Sequence, residues 1–146
     1  MSRAFVKDGD DRPERPVPRP VSAGPNYVTP AGLEQLREAL AHARASNDER
    51  NAVYYEERIE SAEVIESHPG PSGAIGFGST VAVREANGAL VRMRIVGEDE
   101  ADPKRGTIAW NSPYARALMD HRRGDRVVVQ RPAGPAAVVV ESVDNA

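Results

Sequence analysis

Two short acidic runs hold most of the side chains in this sequence that could do chemistry. Asp48 and Glu49 lie in Asn47-Asp48-Glu49-Arg50-Asn51-Ala52-Val53-Tyr54. Glu98, Asp99, Glu100 and Asp102 lie in Gly97-Glu98-Asp99-Glu100-Ala101-Asp102. Neighbouring carboxylates are hard oxygen donors and suit Mg²⁺, which keeps several of its waters and can activate one. Neither run has the spacing of a dedicated metal site. The second lacks the D-x-[DN]-x-[DN]-G pattern of a Ca²⁺ loop. The first stands at a helix start, where acidic side chains already have a role in stabilising the macrodipole. His42, His68 and His121 are far apart and no cysteine is present, so there is no local His/Cys ligand set, thiol nucleophile or disulfide. No serine or lysine has a nearby base to activate it. These residues predict a protein that is not itself an enzyme and has no metal or cofactor.

The elements that must position these residues follow from composition and period. The chain has 146 residues, 40% hydrophobic and 28% charged, an ordinary globular balance. Aromatics are only 5%, so the core must be aliphatic and a large aromatic-lined pocket is not expected. The net charge of −3 argues against binding nucleic acid by counterion release. No apolar run approaches the ~20 residues of a membrane span. The start, MSRAFVKDGDD, has no signal-peptide h-region. Together with the absent cysteines, this predicts a cytoplasmic protein in a reducing interior.

Residues 1–26 hold five of the twelve prolines and nine charges. Such a segment buries too little surface to offset its ordering entropy and reads as a disordered, Pro-rich arm. Phe5 and Val6 are its only candidate anchors for a partner. Residues 27–67 are helical by pattern. Thr29-Pro30 is an N-cap followed by proline at the first helical position. Leu33, Leu36, Leu40 and Ala43 then share one helix face. Ser46 and Glu49 form an S-x-x-E capping box, which predicts a second helix carrying Ala52, Tyr55, Ile59 and Ala62 on one face. Two amphipathic helices joined this tightly form an αα-hairpin, each arm about 15 residues and about 22 Å long. It is acidic: residues 27–69 carry four Arg against nine Asp or Glu. That charge serves either as a solvated face or to steer the hairpin toward a basic partner.

His68-Pro69-Gly70-Pro71-Ser72-Gly73 is a linker. Residues 74–146 then change to a period of two. Ser79–Ala86 and Ala89–Val96 alternate around Asn87-Gly88, a strong hairpin signal. Gly106–Trp110, Arg126–Gln130 and Ala136–Glu141 are three further strands. Ser112 caps a short helix over Tyr114–Arg122 with Pro113 at its first position, burying Ala115, Leu118 and Met119. His121 lies late in it, where a cation favours the dipole. Phe77 and Trp110 are expected in the core. The predicted fold class is α+β: a short N-terminal antiparallel helical hairpin, then an antiparallel sheet domain with one helix.

The order of the motifs adds a resemblance. Ile95-Val96-Gly97-Glu98-Asp99-Glu100-Ala101-Asp102, Asn111-Ser112-Pro113-Tyr114-Ala115-Arg116-Ala117-Leu118, Phe77-Gly78-Ser79-Thr80-Val81, Gly124-Asp125 and Pro132-Ala133-Gly134 resemble successive stretches of the Gre family of bacterial transcription elongation factors. Val28-Thr29-Pro30-Ala31-Gly32-Leu33 and Ala62-Glu63-Val64-Ile65 resemble the two ends of its hairpin. The resemblance spans residues 27–143. It implies an N-terminal coiled coil and a C-terminal domain of FKBP-like fold. In that family the C-terminal domain docks at the rim of the RNA polymerase secondary channel and the hairpin enters the channel. The implied contacts here are Glu98, Asp99, Glu100, Asp102, Ser112 and Pro113. Otherwise the acidic run is a solvated loop balanced by Lys104 and Arg105.

At the hairpin tip the family carries D-x-x-E-N-A-x-Y, whose two carboxylates help hold a metal ion and water at the polymerase centre. Aligning Asn51-Ala52 and Tyr54 puts Asn47 and Arg50 in those two slots, a poorer ligand and a cation. Asp48 and Glu49 are one position off, about 100° around a helix. The family's arms are also roughly twice as long. In both respects the chain resembles the short-hairpin member called regulator of nucleoside diphosphate kinase. The implied function is an elongation regulator that binds RNA polymerase without stimulating transcript cleavage. The alternative is an active cleavage factor using Asp48 and Glu49. Prolyl isomerisation, which an FKBP-like fold also brings to mind, has only Phe77, Trp110 and Tyr114 to build its aromatic pocket, and fold alone does not confer it.

Overall fold

The computed structural model of the protein describes residues 17–66 and 70–145. Phe5, Val6, His68 and Pro69 lie outside the described residues. Among the described residues the fold is mixed α+β: three α-helices and a curled five-stranded sheet, with a small second ladder at the base of the helical pair.

The chain enters through β1 (Asn26–Val28) and turns into α1 (Pro30–Ala45). Thr29 caps α1 as expected, its hydroxyl accepting from the Gly32 N–H at 2.9 Å. α2 (Glu49–Ser61) folds back against α1. Its start differs from the expected capping box. Ser46 instead closes α1, its hydroxyl donating to the His42 carbonyl at 2.7 Å. Asn47 takes φ = 57°, and Asp48 is the cap, accepting from the Asn51 N–H at 3.2 Å. A left-handed residue reverses the chain within one step, and asparagine tolerates that conformation. Asp48 is then the first side chain past the turn able to reach the free N–H groups.

The α2 face also differs. Ala52 is buried, but Tyr55, Ile59 and Ala62 are only half-buried. Tyr54 and Arg58, four residues apart and so stacked on one side, are buried at 7% and 3% exposure. That second stripe faces the sheet domain. β2 (Ala62–Val64) then pairs parallel with β1, Asn26 opposite Ala62 and Val28 opposite Val64. This ladder was not expected, because three residues are too few to show a period.

The sheet runs β5-β4-β3-β7-β6. β3 (Thr80–Glu85) and β4 (Leu90–Val96) form the expected hairpin. Gly88, at φ = 87°, is the left-handed residue of its turn, while Asn87 is not left-handed, so the loop is longer than a two-residue type I′ turn. β5 (Thr107–Ala109) pairs parallel to β4, which corrects the all-antiparallel expectation. The two 3₁₀ turns at Glu98–Glu100 and Pro103–Arg105 supply the crossover. β6 (Arg126–Arg131) and β7 (Gly134–Asp144) close the sheet, and β7 is nearly twice its expected length because it pairs with both β6 and β3.

α3 (Pro113–Leu118) packs on β6 and is shorter than expected. Asp120 is left-handed at φ = 67°, and the Asp120 N–H donates to the Ile75 carbonyl at 2.9 Å. A strand-like bridge thus replaces the last helical turn. His121 lies beyond the helix, its Nδ1 3.0 Å from Asp125 Oδ2. The core is aliphatic: Ile75, Val81, Val83, Met93, Ile95, Leu118, Val127, Val129, Val138 and Val140, with Ala115. Met119 only packs against its edge. Burying one such valine or leucine stabilises the fold by roughly 1.5–3 kcal/mol.

Candidate functional site: the hairpin–sheet junction

The acidic run of residues 98–102 follows β4: Glu98–Glu100 form a 3₁₀ turn, and the chain is extended at Ala101 and Asp102. Gly97 begins it. A Cβ there would stand 2.6 Å from the Tyr27 carbonyl, so the bare backbone lets β1 lie directly on the turn. Tyr27 also packs edge-on to Phe77, centroids 6.1 Å apart, and tilted to Trp110 at 4.9 Å. Tyr27, Phe77 and Trp110 thus gather where the two parts meet. Phe77 is buried and Trp110 half-buried.

Asp99 receives the α2 stripe. Arg58 Nε donates to Asp99 Oδ2 at 2.6 Å, and the Tyr54 hydroxyl donates to Asp99 Oδ1. Arg58 Nη2 donates to Asn26 Oδ1 at 2.7 Å, while Asn26 Nδ2 donates to the Arg58 carbonyl at 2.8 Å. Every member of this network has a partner, as buried polar groups require. Glu100 reaches α1, where the Thr29 hydroxyl donates to its Oε1 at 2.6 Å. Thr29 therefore caps its helix and ties it to the turn with one oxygen. Glu98 accepts from Asn111 Nδ2 at 3.2 Å and from the Ser22 hydroxyl, with Arg58 Nη2 at 3.7 Å. Asp102 caps the next 3₁₀ turn through the Lys104 N–H at 3.0 Å.

Of the six contact residues expected from sequence, then, Glu98, Asp99 and Glu100 hold the hairpin to the sheet. Ser112 caps α3 through the Ala115 N–H at 3.3 Å, and Pro113 is exposed. Sequence reasoning missed Asn26, Tyr54 and Arg58. The i, i+4 spacing of Tyr54 and Arg58 was the available signal, but an arginine in an acidic helix reads as a surface charge.

Burial, and then the bond to Asp99 and its negative charge, push the Tyr54 hydroxyl up to about 12. The folded state keeps this proton after the unfolded chain has lost it. The stabilisation is therefore complete below the ordinary value of 10.0 and is lost as pH rises from there toward about 12. Tyr54→Phe is expected to lower stability at neutral pH yet flatten its decline over that interval. Urea unfolding at a series of alkaline pH values measures this, and equal slopes for the two proteins would refute it.

Two further surfaces matter. At the hairpin tip, Asn51 Nδ2 donates to Asp48 Oδ2 at 2.6 Å. This bond and the Asn51 N–H hold the Asp48 carboxyl below its usual range. Glu49 is exposed, and Arg50 stands between them and Asn51 in sequence. Among the described residues, no three His, Asp or Glu side chains gather as a metal would need. On the sheet domain, a cleft of about 480 Å³ opens between the 102–107 loop, α3 and the end of β6. Ile108, Pro103, Pro113, Tyr114 and Pro132 give it an apolar lining.

Residues 70–145 match the family described as "Transcription elongation factor, GreA/GreB, C-term". The chain is 41% identical over 99 residues to transcription elongation factor GreB of Xanthomonas axonopodis pv. citri, covering 67% of this chain and 59% of that protein. It is 34% identical over 137 residues to transcription elongation factor GreA of Methylococcus capsulatus, covering 81% and 87%. Among solved structures it is similar to GreA factor homolog 1 (Gfh1) of Thermus thermophilus, 21% identical, covering 83% of this chain and 99% of that one, with a TM-score of 0.46. No helix among the described residues is long and apolar enough to cross a membrane. By the match over its C-terminal half and by its similarity to curated relatives, the chain belongs to the GreA/GreB family of transcription elongation factors.

Proposed function

We propose that this chain is a non-enzymatic regulator that binds bacterial RNA polymerase at the rim of the secondary channel and does not stimulate transcript cleavage. Its FKBP-like domain, residues 74–146, docks; its short hairpin, residues 27–67, stands in the channel mouth. The observation that carries this reading is the tip. Asp48 has both carboxylate oxygens engaged by Asn51, so it acts as a helix cap. Among the described residues that leaves Glu49 as the tip carboxylate exposed to solvent, with Arg50 beside it to repel a cation. Length supports the same reading: arms of 16 and 13 residues reach about 24 and about 20 Å.

For docking, the apolar cleft beside α3 offers the surface, with Ser112 and Pro113 in its lining and Asp102 between two lining residues in sequence. Glu98, Asp99 and Glu100 serve docking indirectly, by setting the angle at which the hairpin leaves the domain. The alternative, active cleavage through Asp48 and Glu49, would need the tip to refold so that Asp48 is released. The experiment that separates the two is titration of the chain into transcript cleavage driven by an active family member.

A further inference from the structure

The hairpin–sheet junction has a second cleft, of about 460 Å³, whose walls include Gln35, Leu36 and Ala39 of α1, Tyr54 and Tyr55 of α2, and Asp99 of the acidic turn. Arg19 stands in its wall and covers the Tyr54 ring, leaving that volume open beside it. The Arg19 guanidinium carbon lies 3.7 Å from the Tyr54 ring centre and 5.6 Å from that of Tyr55. Arg19 Nη1 also donates to Asn51 Oδ1 at 2.7 Å. A guanidinium over one aromatic ring, near a second and donating to an amide oxygen, uses both the delocalised charge and the several N–H donors by which arginine differs from lysine.

The walls and the occupant differ in how firmly they are held. Tyr54 is buried and fixed by its bond to Asp99, and Asn51 by its bonds to Asp48. Arg19 arrives on a stretch with no helix or strand, residues 17–25, in which Arg19 alone is half-buried and the rest are exposed. Besides Arg19, two polar contacts secure that stretch: Arg50 Nε donates to the Val17 carbonyl at 2.6 Å, and Ser22 donates to Glu98. The site is thus preformed, and its occupant is loosely tied. Around it the hairpin is acidic, nine carboxylates against four arginines over residues 27–69.

We propose that this cleft is a recognition site for an arginine side chain on a basic segment of a partner protein, and that Arg19 fills it in cis until that partner displaces it. Charge complementarity points to a basic partner, and the tyrosine stack selects the guanidinium. The inference stands independently of polymerase binding. A short tether keeps Arg19 at an effective concentration on the order of millimolar, so it competes well with a weak external ligand.

The test uses the full chain, as wild type and as Arg19→Ala, titrated with N-acetyl-arginine amide and separately with N-acetyl-lysine amide. Two-dimensional NMR follows the Asn51 side-chain amide and the Tyr54 ring. Arg19→Ala should bind the arginine compound with a millimolar dissociation constant, moving both signals, and wild type should bind about two- to fivefold more weakly, because a tethered competitor at millimolar effective concentration fills a millimolar site only in part. The lysine compound should bind distinctly more weakly than arginine. Resonances away from the cleft report that Arg19→Ala remains folded. No saturable shift at Asn51 and Tyr54 in Arg19→Ala would overturn the proposal. So would equal binding of the lysine compound, which would reduce the cleft to an unselective acidic surface. Equal affinity in wild type would overturn the role of Arg19 as its cis occupant.

Discussion

Arg58→Ala is expected to destabilise the protein by about 3–5 kcal/mol, the range for removing one partner of a buried ion pair. The Arg58 side chain is 3% exposed and its partner Asp99 12%. Truncation would leave the Asp99 carboxylate with the Tyr54 hydroxyl alone and orphan the Asn26 side-chain oxygen. The cost comes mainly from the charge left behind in a water-poor site. The exposed pair Arg84–Glu141 is the internal comparison, with side chains 48% and 38% exposed. Arg84→Ala should cost no more than about 1 kcal/mol, because solvent screens such a pair. Urea unfolding of both variants measures the difference. Equal losses would mean that Arg58 does not hold the junction.

Gly97→Ala is expected to cost about 1–3 kcal/mol by overpacking, although alanine suits its backbone angles. Gly97 has φ = −67°, an ordinary value for any residue. The difficulty is space. The new Cβ would meet the Tyr27 carbonyl oxygen at 2.6 Å and the Val28 Cα at 3.3 Å, and neither is a side chain that can swing aside. β1 would have to lift from the turn and carry the base of the hairpin with it. Because Arg58 grips the same strand through Asn26, the two substitutions should not be additive: once β1 has lifted, less of the Arg58 network remains to be lost. Thermal unfolding of the single and double variants checks this. A Gly97→Ala protein as stable as wild type would show that β1 does not rest on the turn.

The sheet domain was largely legible from sequence because its signals are local. Strand alternation, the Asn87-Gly88 turn and the Ser112-Pro113 helix start each lie within a few residues. The α1 start at Thr29-Pro30 was legible for the same reason. What escaped was non-local. The parallel β1–β2 ladder joins residues 26 and 62, and the parallel pairing of β5 depends on a crossover of two 3₁₀ turns. The S-x-x-E pattern at Ser46 was outcompeted by Asp48, because the left-handed Asn47 moved the helix start by two residues. The inward contacts of the acidic run escaped as well. The family resemblance implies a docking loop there, and composition a solvated one; neither reveals that two of its carboxylates, Asp99 and Glu100, face inward to Arg58, Tyr54 and Thr29. Arg58 and Tyr54 bear no mark of burial in sequence, since their partner lies some forty residues away across a domain junction.

The proposed role of this chain is to occupy the polymerase secondary channel without supplying the chemistry of cleavage. The most direct test titrates it into stalled elongation complexes whose transcript is being cleaved with the help of an active GreA or GreB, and measures the cleavage rate. The rate should fall with added chain to the level the polymerase shows alone, and more active factor should restore it. A rate that rises with added chain, and falls back when Asp48→Asn and Glu49→Gln are introduced, would contradict it and establish a working acidic tip. A rate unmoved at every concentration would contradict it as well, by placing the chain outside the channel.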